Sequence, residues 1–468
     1  MAFPKKYVHI KRRSQRGIAL IMVLGAVSVL TVVLAEFQDE AGSEVAASNA
    51  DRDTVQAEYL ARSAINLTRL LIATEPVVRR TVAPLFQLMR RTPPQLPIWE
   101  YADRILAAFN DSSATKEFAA MVGIDLSQAK NLGLEGGHFE VKVVDEDAKI
   151  CANLGGSNQI AHIRLARELL GLMNGMQYDR LFERADADGQ THDRFQICSS
   201  LIDWADLDEQ RFDCNITETN SGGGTGEDGF YSSLKKPLRR KNGPFDSLDE
   251  LHMVRGFTDD FWATFIEPDA TKPDKRTMTV WGQGAVNVNT ANAQALVAVI
   301  CSDAREADLC KDPQQAALFT MGMNMARGVA MGVPIFASTD EFLAMMKGEG
   351  LLGPLLANLG LKKVTFKSPN EFKKTISTES KVFSIYAVGV VKGYKRETRS
   401  LVHSVVDYRD APSLGGPASG PASGSGSSAP TPTGGAGMGS TAPLRGNEAF
   451  MAVLAPNPGG RLLYFRIE

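Results

Sequence analysis

Acidic side chains crowd one stretch of the chain, among them Asp203, Asp206, Asp208 and Glu209, then Glu227 and Asp228 beyond a glycine-rich run. Carboxylates set this close repel one another, and a hard cation taking about six to eight oxygen ligands relieves the repulsion. No histidine or thiolate is among them, so calcium suits the set better than zinc. Asp203, Asp206, Asp208, Glu227 and Asp228 are the candidate ligands. The spacing is not that of an EF-hand, because the loop glycine and the closing glutamate are misplaced. A solvated acidic loop without an ion is the plainer alternative, and the residues alone leave both open.

The cysteines frame the same region. Cys198 and Cys214 flank the first four acids, and Cys301 and Cys310 flank a shorter loop. Closing a loop of about 15 residues stabilises a fold by roughly 3 kcal/mol in the chain-entropy model. Cys151 is then left over as a buried thiol. Sequence does not fix such pairing, and five reduced, packed cysteines are the alternative. The six histidines are scattered, none beside a Ser or Cys in a nucleophile motif, and no phosphate-binding glycine fingerprint occurs. No enzymatic activity is expected.

A different chemistry, proteolytic processing, is written at the start. Lys5, Lys6, Lys11, Arg12, Arg13 and Arg16 have no acid among them, and Ile18 to Ala35 carries no charge. That apolar run is at the short end of what spans a bilayer. The basic leader stays cytoplasmic and the rest follows outward, into the periplasm of a Gram-negative cell, where oxidation permits disulfides. Arg16-Gly17-Ile18-Ala19-Leu20 resembles the class III signal of type IV pilins and pseudopilins. The resemblance implies cleavage by a prepilin peptidase after Gly17 and an N-methylated Ile18 as the mature terminus. The fifth mature residue, usually Glu, is here Met22. A secretory signal cut after Ala35 and an uncleaved signal anchor are the alternatives, although the apolar run exceeds the usual h-region of about 7–15 residues.

The elements that must position these groups follow from the pattern. Between Ile18 and Ala73 there is no proline, and glycine occurs only at Gly25 and Gly42. Leu60, Ala64, Leu67 and Leu71 form one apolar stripe. One helix of about 55 residues, about 80 Å long, would sit half in lipid and half on a domain. Pro76 and the Pro93, Pro94, Pro97 cluster mark its exit. Residues 138–144 alternate as a strand; 382–391 and 399–406 read as two strands of a hairpin. Residues 157 to 360 are mostly helix-patterned. Residues 411–445 are Gly, Ser, Pro, Ala and Thr, a flexible linker by composition, and 461–468 is either a last strand returning to the sheet or a frayed tail.

The length supports two or three domains with a sizeable core. A net charge of −3 gives no pull towards nucleic acid. Leu248–Phe257 and Asn287–Ile300 each have half the pattern of a helix-hairpin-helix, but their surroundings are not basic, so no nucleic-acid partner is expected.

Several motifs stand in an order that resembles the K-type minor pseudopilin of type II secretion systems (general secretion pathway protein K), over residues 12 to 410. They are the processing site, Asp145-Glu146-Asp147-Ala148-Lys149-Ile150 with Cys151 in place of the usual Asn, and Leu201-Ile202-Asp203-Trp204-Ala205-Asp206-Leu207-Asp208. Gly226-Glu227-Asp228-Gly229-Phe230-Tyr231 follows, then Phe245-Asp246-Ser247-Leu248-Asp249-Glu250-Leu251 with Val254-Arg255-Gly256, and Asn287-Val288-Asn289-Thr290-Ala291.

The resemblance implies an α+β, type IV pilin-like fold: a long N-terminal helix on an antiparallel sheet, with a large inserted α-helical domain. On this chain it implies a leader at 1–17, a transmembrane and pilin helix at 18–75 and the first part of the pilin-like domain at 76–154. The helical insert with the acidic loop takes 155–365, the last pilin strands 366–410, the linker 411–445 and a C-terminal strand 446–468. It implies calcium at the acidic loop and a non-enzymatic minor pseudopilin in the inner membrane, with its bulk in the periplasm, capping the pseudopilus tip and needed for export of folded proteins. The implied partners are the I, J and H types, the major pseudopilin, the prepilin peptidase and the inner-membrane secretion platform. In fibres of this kind the fifth-position Glu of an incoming subunit neutralises the amine of the subunit ahead, so Met22 implies a subunit with nothing ahead of it. A minor pilin of a type IV pilus, acting in adhesion or DNA uptake, is the competing reading.

Overall fold

The computed structural model describes residues 16–88, 90–110, 136–185, 189–215, 229–234, 236–330, 332–393, 396–412 and 457–467. The leader to residue 15, Glu227, Asp228 and residues 413–456, which include most of the expected linker, lie outside the described residues.

Helix α1 runs from Arg16 to Ala73 without a break. Residues 17–40 are all exposed, and an apolar window there has a mean hydropathy of 2.8. From Asp53 onward one stripe is buried: Ala57, Leu60, Ala61, Ala64, Ile65, Thr68 and Ile72. Leu67 and Leu71 only flank this core. α1 ends just before Pro76, where the sequence places its exit, and a second helix starts at once, so Pro76 also lies inside helical structure. It is the second residue of α2, Glu75–Leu88, where a missing N–H has no intrahelical partner to lose.

The sheet has four antiparallel strands in sequential order: β1 (Gly137–Asp145), β2 (Val382–Lys392), β3 (Glu397–Asp407) and β4 (Arg461–Ile467). Val141 lies opposite Ala387, and Ala387 opposite Val402. Phe139, Val141, Phe383, Ile385 and Val402 pack with Trp99 against the buried stripe of α1. Gly389 is where α1 comes closest: a Cβ there would lie 1.8 Å from the Ala57 carbonyl oxygen, so only glycine permits this approach.

Between β1 and β2 the chain builds a helical insert with its own core. Its main helices are α3 (Gln159–Leu172), α4 (Arg194–Ala205), α5 (Ala293–Asp303) and α6 (Pro313–Ala330). The first, second and third are capped by Asn158, Asp193 and Asn292, whose side chains accept from the N–H groups of Ala161, Gln196 and Ala295. Gly171 lets α3 lie on α5, since a Cβ would come within 2.2 Å of the Ala298 carbonyl. Phe261, Phe265, Phe319 and Phe342 are fully buried in this core.

The insert leaves and re-enters the sheet at one point. Asp145 is paired with Phe383, and Glu146 N–H donates to the Val382 carbonyl at 3.0 Å. Two short parallel pairings lie beside it, Ile150–Cys151 with Met278–Thr279 and Val286–Asn287 with Ile376–Ser377.

Candidate functional site

Gly17 and Ile18 lie in the first turn of α1 and are exposed. Met22, one turn on, is 70% exposed on the same apolar surface. Among the described residues nothing packs on this part of the helix.

The acidic loop begins at the end of α4. Asp203 and Asp206 are buried, and Asp208 is exposed. Asp203 Oδ1 accepts from the Phe212 N–H at 2.8 Å, and its carbonyl accepts from the Arg240 guanidinium. Asp208 Oδ1 accepts from Gln210 N–H at 2.8 Å. Cys198 is bonded to Cys214, with Cα atoms 6.2 Å apart, and Cys301 to Cys310, 5.7 Å apart. Cys151 is free and buried, and burial pushes its thiol up to about 12. The acids present are oxygen donors suited to a hard cation, but among the described residues no three metal-binding side chains come together. Asp203, Asp206 and Asp208 are therefore not a cage by themselves.

Around this loop the sequence motifs meet. Trp204 Nε1 donates to Glu250 Oε1 at 3.0 Å, and the Trp204 and Tyr231 rings lie edge to face at 5.5 Å. Tyr231 Oη accepts from Arg255 N–H at 3.1 Å.

A second junction, which sequence reasoning missed, holds the insert on the sheet. The Asp147 carboxylate accepts three backbone N–H groups: Gln283 at 2.7 Å, Lys381 at 2.6 Å and Val382 at 3.0 Å. Asp145 Oδ2 accepts from Ser380 Oγ and from Thr290 Oγ1, each at 2.5 Å. Asn287 donates to Ser380 Oγ at 2.7 Å, and Gln95 exchanges two hydrogen bonds with the Ser380 backbone. Glu146 is paired with Lys149 at 2.9 Å, both buried, and accepts from Thr279 Oγ1 at 2.5 Å.

Burial raises Asp145 to about 7, helped by the nearby charge of Asp147, and raises Asp147 to about 6. The three amides on Asp147 favour its charged form, so the pair loses its first proton there. Glu146 goes the other way. Burial works against its charge, but Lys149 and neighbouring hydroxyls outweigh that and lower it. The one sequence signal of this junction was the run of three acids before Lys149.

A long helix, apolar in its first half, that packs its second half on an antiparallel sheet, with a helical body grown between two strands, defines a pilin-like fold of the α+β class. Residues 168–266, which span the end of α3, all of α4 and the acidic loop, match the family described as type II secretion system (T2SS), protein K. Within those residues the chain is similar to protein K of the type II secretion system. The crystal structure of the GspK-GspI-GspJ complex from the enterotoxigenic Escherichia coli type 2 secretion system is similar at 17% identity and a TM-score of 0.36, covering 58% of this chain and 76% of that one. No curated protein matches the chain.

Proposed function

We propose that this subunit caps the tip of the pseudopilus and is needed for export of folded proteins across the outer membrane. The observation that carries this is Met22, exposed on the apolar half of α1 where a carboxylate would neutralise the amine of a subunit ahead. An uncompensated charge in that setting is costly, so a subunit without the carboxylate belongs where no subunit lies ahead. The helical insert between β1 and β2 adds bulk suited to an end rather than to a repeating shaft.

In this reading prepilin peptidase cuts after Gly17, Ile18 becomes the methylated terminus, and α1 anchors the chain once in the inner membrane with its bulk in the periplasm. The I, J and H types and the major pseudopilin are its neighbours, and the secretion platform assembles them. The acidic loop takes calcium through Asp203, Asp206 and Asp208 together with Glu227 and Asp228. The test is co-purification of the tagged full chain with the I- and J-type subunits, alongside secretion after deletion of its gene. Recovery of both partners and loss of exported protein support the proposal. Normal secretion combined with loss of pilus-mediated adhesion or DNA uptake would favour the type IV pilus reading instead.

A further inference from the structure

A cavity of 240 Å³ lies between the Asn287-Val288-Asn289-Thr290-Ala291 motif of the insert and the segment from Gln95 to Tyr101 beside the sheet. Hydrogen bonds and packing hold its walls in place. Asn289 exchanges two hydrogen bonds with the Phe336 backbone, each at 2.9 Å. Trp99 is buried and packs on Phe383, with ring centroids 4.6 Å apart. Gly332 has a φ of +84°, and a Cβ there would overlap Tyr101 Oη, so the phenol closes against bare backbone.

Two opposite charges line this cavity, Glu100 and Arg327. Arg327 comes from the last turn of α6. Its Nη2 donates to the Val288 carbonyl at 3.2 Å and to the Ala291 carbonyl at 2.7 Å. A guanidinium has five N–H donors, and the other three find no acceptor among the described residues, Nε although it is buried. Among the described residues neither charge is in an ion pair. Glu100 is exposed and Arg327 half-buried. The protein around them displaces water, which raises the Glu100 carboxyl and lowers the Arg327 guanidinium, and in each case the other's charge works the opposite way. The two thus act on each other across the cavity without closing into a bond.

We propose that this cavity binds a small zwitterion of the amino-acid class, with its carboxylate on the Arg327 guanidinium, its ammonium on Glu100 and its hydrocarbon part against Trp99. A charge held away from water is costly until a counter-charge joins it. A lone anion would gain from Arg327 but be repelled by Glu100, and a lone cation the reverse. Only a guest carrying both charges satisfies the pair. At 240 Å³ the cavity is below the range of about 300–1,000 Å³ that takes drug-sized ligands, which limits the guest to a small molecule. The site does not depend on where the subunit sits in a fibre.

The test is isothermal titration of the detergent-solubilised full chain with leucine and with 6-aminohexanoate, zwitterions of short and long charge separation. At least one should bind. Hexanoate and pentylamine, which carry one charge each, should bind at least about tenfold more weakly. Glu100→Gln should weaken binding of the zwitterion about tenfold. The Glu100 side chain makes no hydrogen bond among the described residues, so this variant should keep the melting temperature of the ligand-free chain. Arg327→Gln should abolish binding. Because Arg327 also holds the carbonyls of Val288 and Ala291, Glu100→Gln decides if Arg327→Gln fails to fold. Binding of neither zwitterion overturns the proposal. So does hexanoate binding as tightly as the zwitterion, which means a plain anion site, or undiminished binding by Glu100→Gln.

Discussion

Thr290 Oγ1 donates to Asp145 Oδ2 at 2.5 Å, fastening the segment ahead of α5 to the last residue of β1 across 145 positions of sequence. Two motifs that look independent along the chain are thus parts of one buried joint. Thr290→Val keeps the shape and removes the donor, leaving a buried carboxylate short of a partner. It should cost about 1–3 kcal/mol. Asp147→Ala strips three backbone N–H groups of their acceptor at once and should cost more than about 3 kcal/mol. Denaturant unfolding of the solubilised chain measures both, and an Asp147→Ala variant as stable as wild type would mean that the joint carries no stability.

The same joint has a pH signature. An unfolded Asp titrates near 3.9, whereas Asp145 is raised to about 7 in the fold. Between about pH 4 and 7 the native state therefore holds more protons than the unfolded state, and this group makes stability fall as pH rises. His403 opposes it: burial lowers its imidazole to about 4, so its contribution is lost as pH falls from about 6.5. Asp145→Asn removes only the first slope. The stability of wild type relative to Asp145→Asn should be greater at pH 5 than at pH 8, and a difference independent of pH would contradict the assignment.

Calcium should raise the melting temperature of the wild-type chain and a chelator should lower it. At a ligand concentration 100 times Kd, linkage gives about 2.7 kcal/mol. Asp203→Asn with Asp206→Asn should abolish the response. Coincident melting curves with calcium and with chelator reject the site.

Met22→Glu should leave secretion intact while allowing the subunit to enter below the tip. Site-specific crosslinking along sheared pseudopili reads its position. Wild-type protein found distributed along the shaft would end the tip reading of Met22.

Much of this architecture was legible because its signals are local. The absence of proline from Ile18 to Ala73 reads directly as α1, and alternation at His138–Val144 and in the 382–406 hairpin reads as strands β1 to β3. Pro76 was less transparent, since a proline that stops one helix is also well placed to begin another. The joint around Asp145 and Asp147 was hidden for a different reason. Its partners, Gln283, Thr290, Ser380 and Lys381, come from distant segments, and of the four only Thr290 stands in a motif that the sequence displays. Trp204 and Glu250 were visible as motif members, yet their hydrogen bond exists only once the insert has folded. Of the acidic loop, the sequence displays the charges but not that Asp203 and Asp206 turn inward while Asp208 faces solvent.

Because the insert departs after Asp145 and returns at Val382, force carried along its chain arrives at one end of the β1–β2 ladder. Pulled from there alone, antiparallel strands peel apart one rung after another. The carboxylate of Asp147 bridges both sides of that opening, gripping the amides of Lys381 and Val382. Load carried along the chain therefore meets a charged clasp before it reaches the first rung of the sheet.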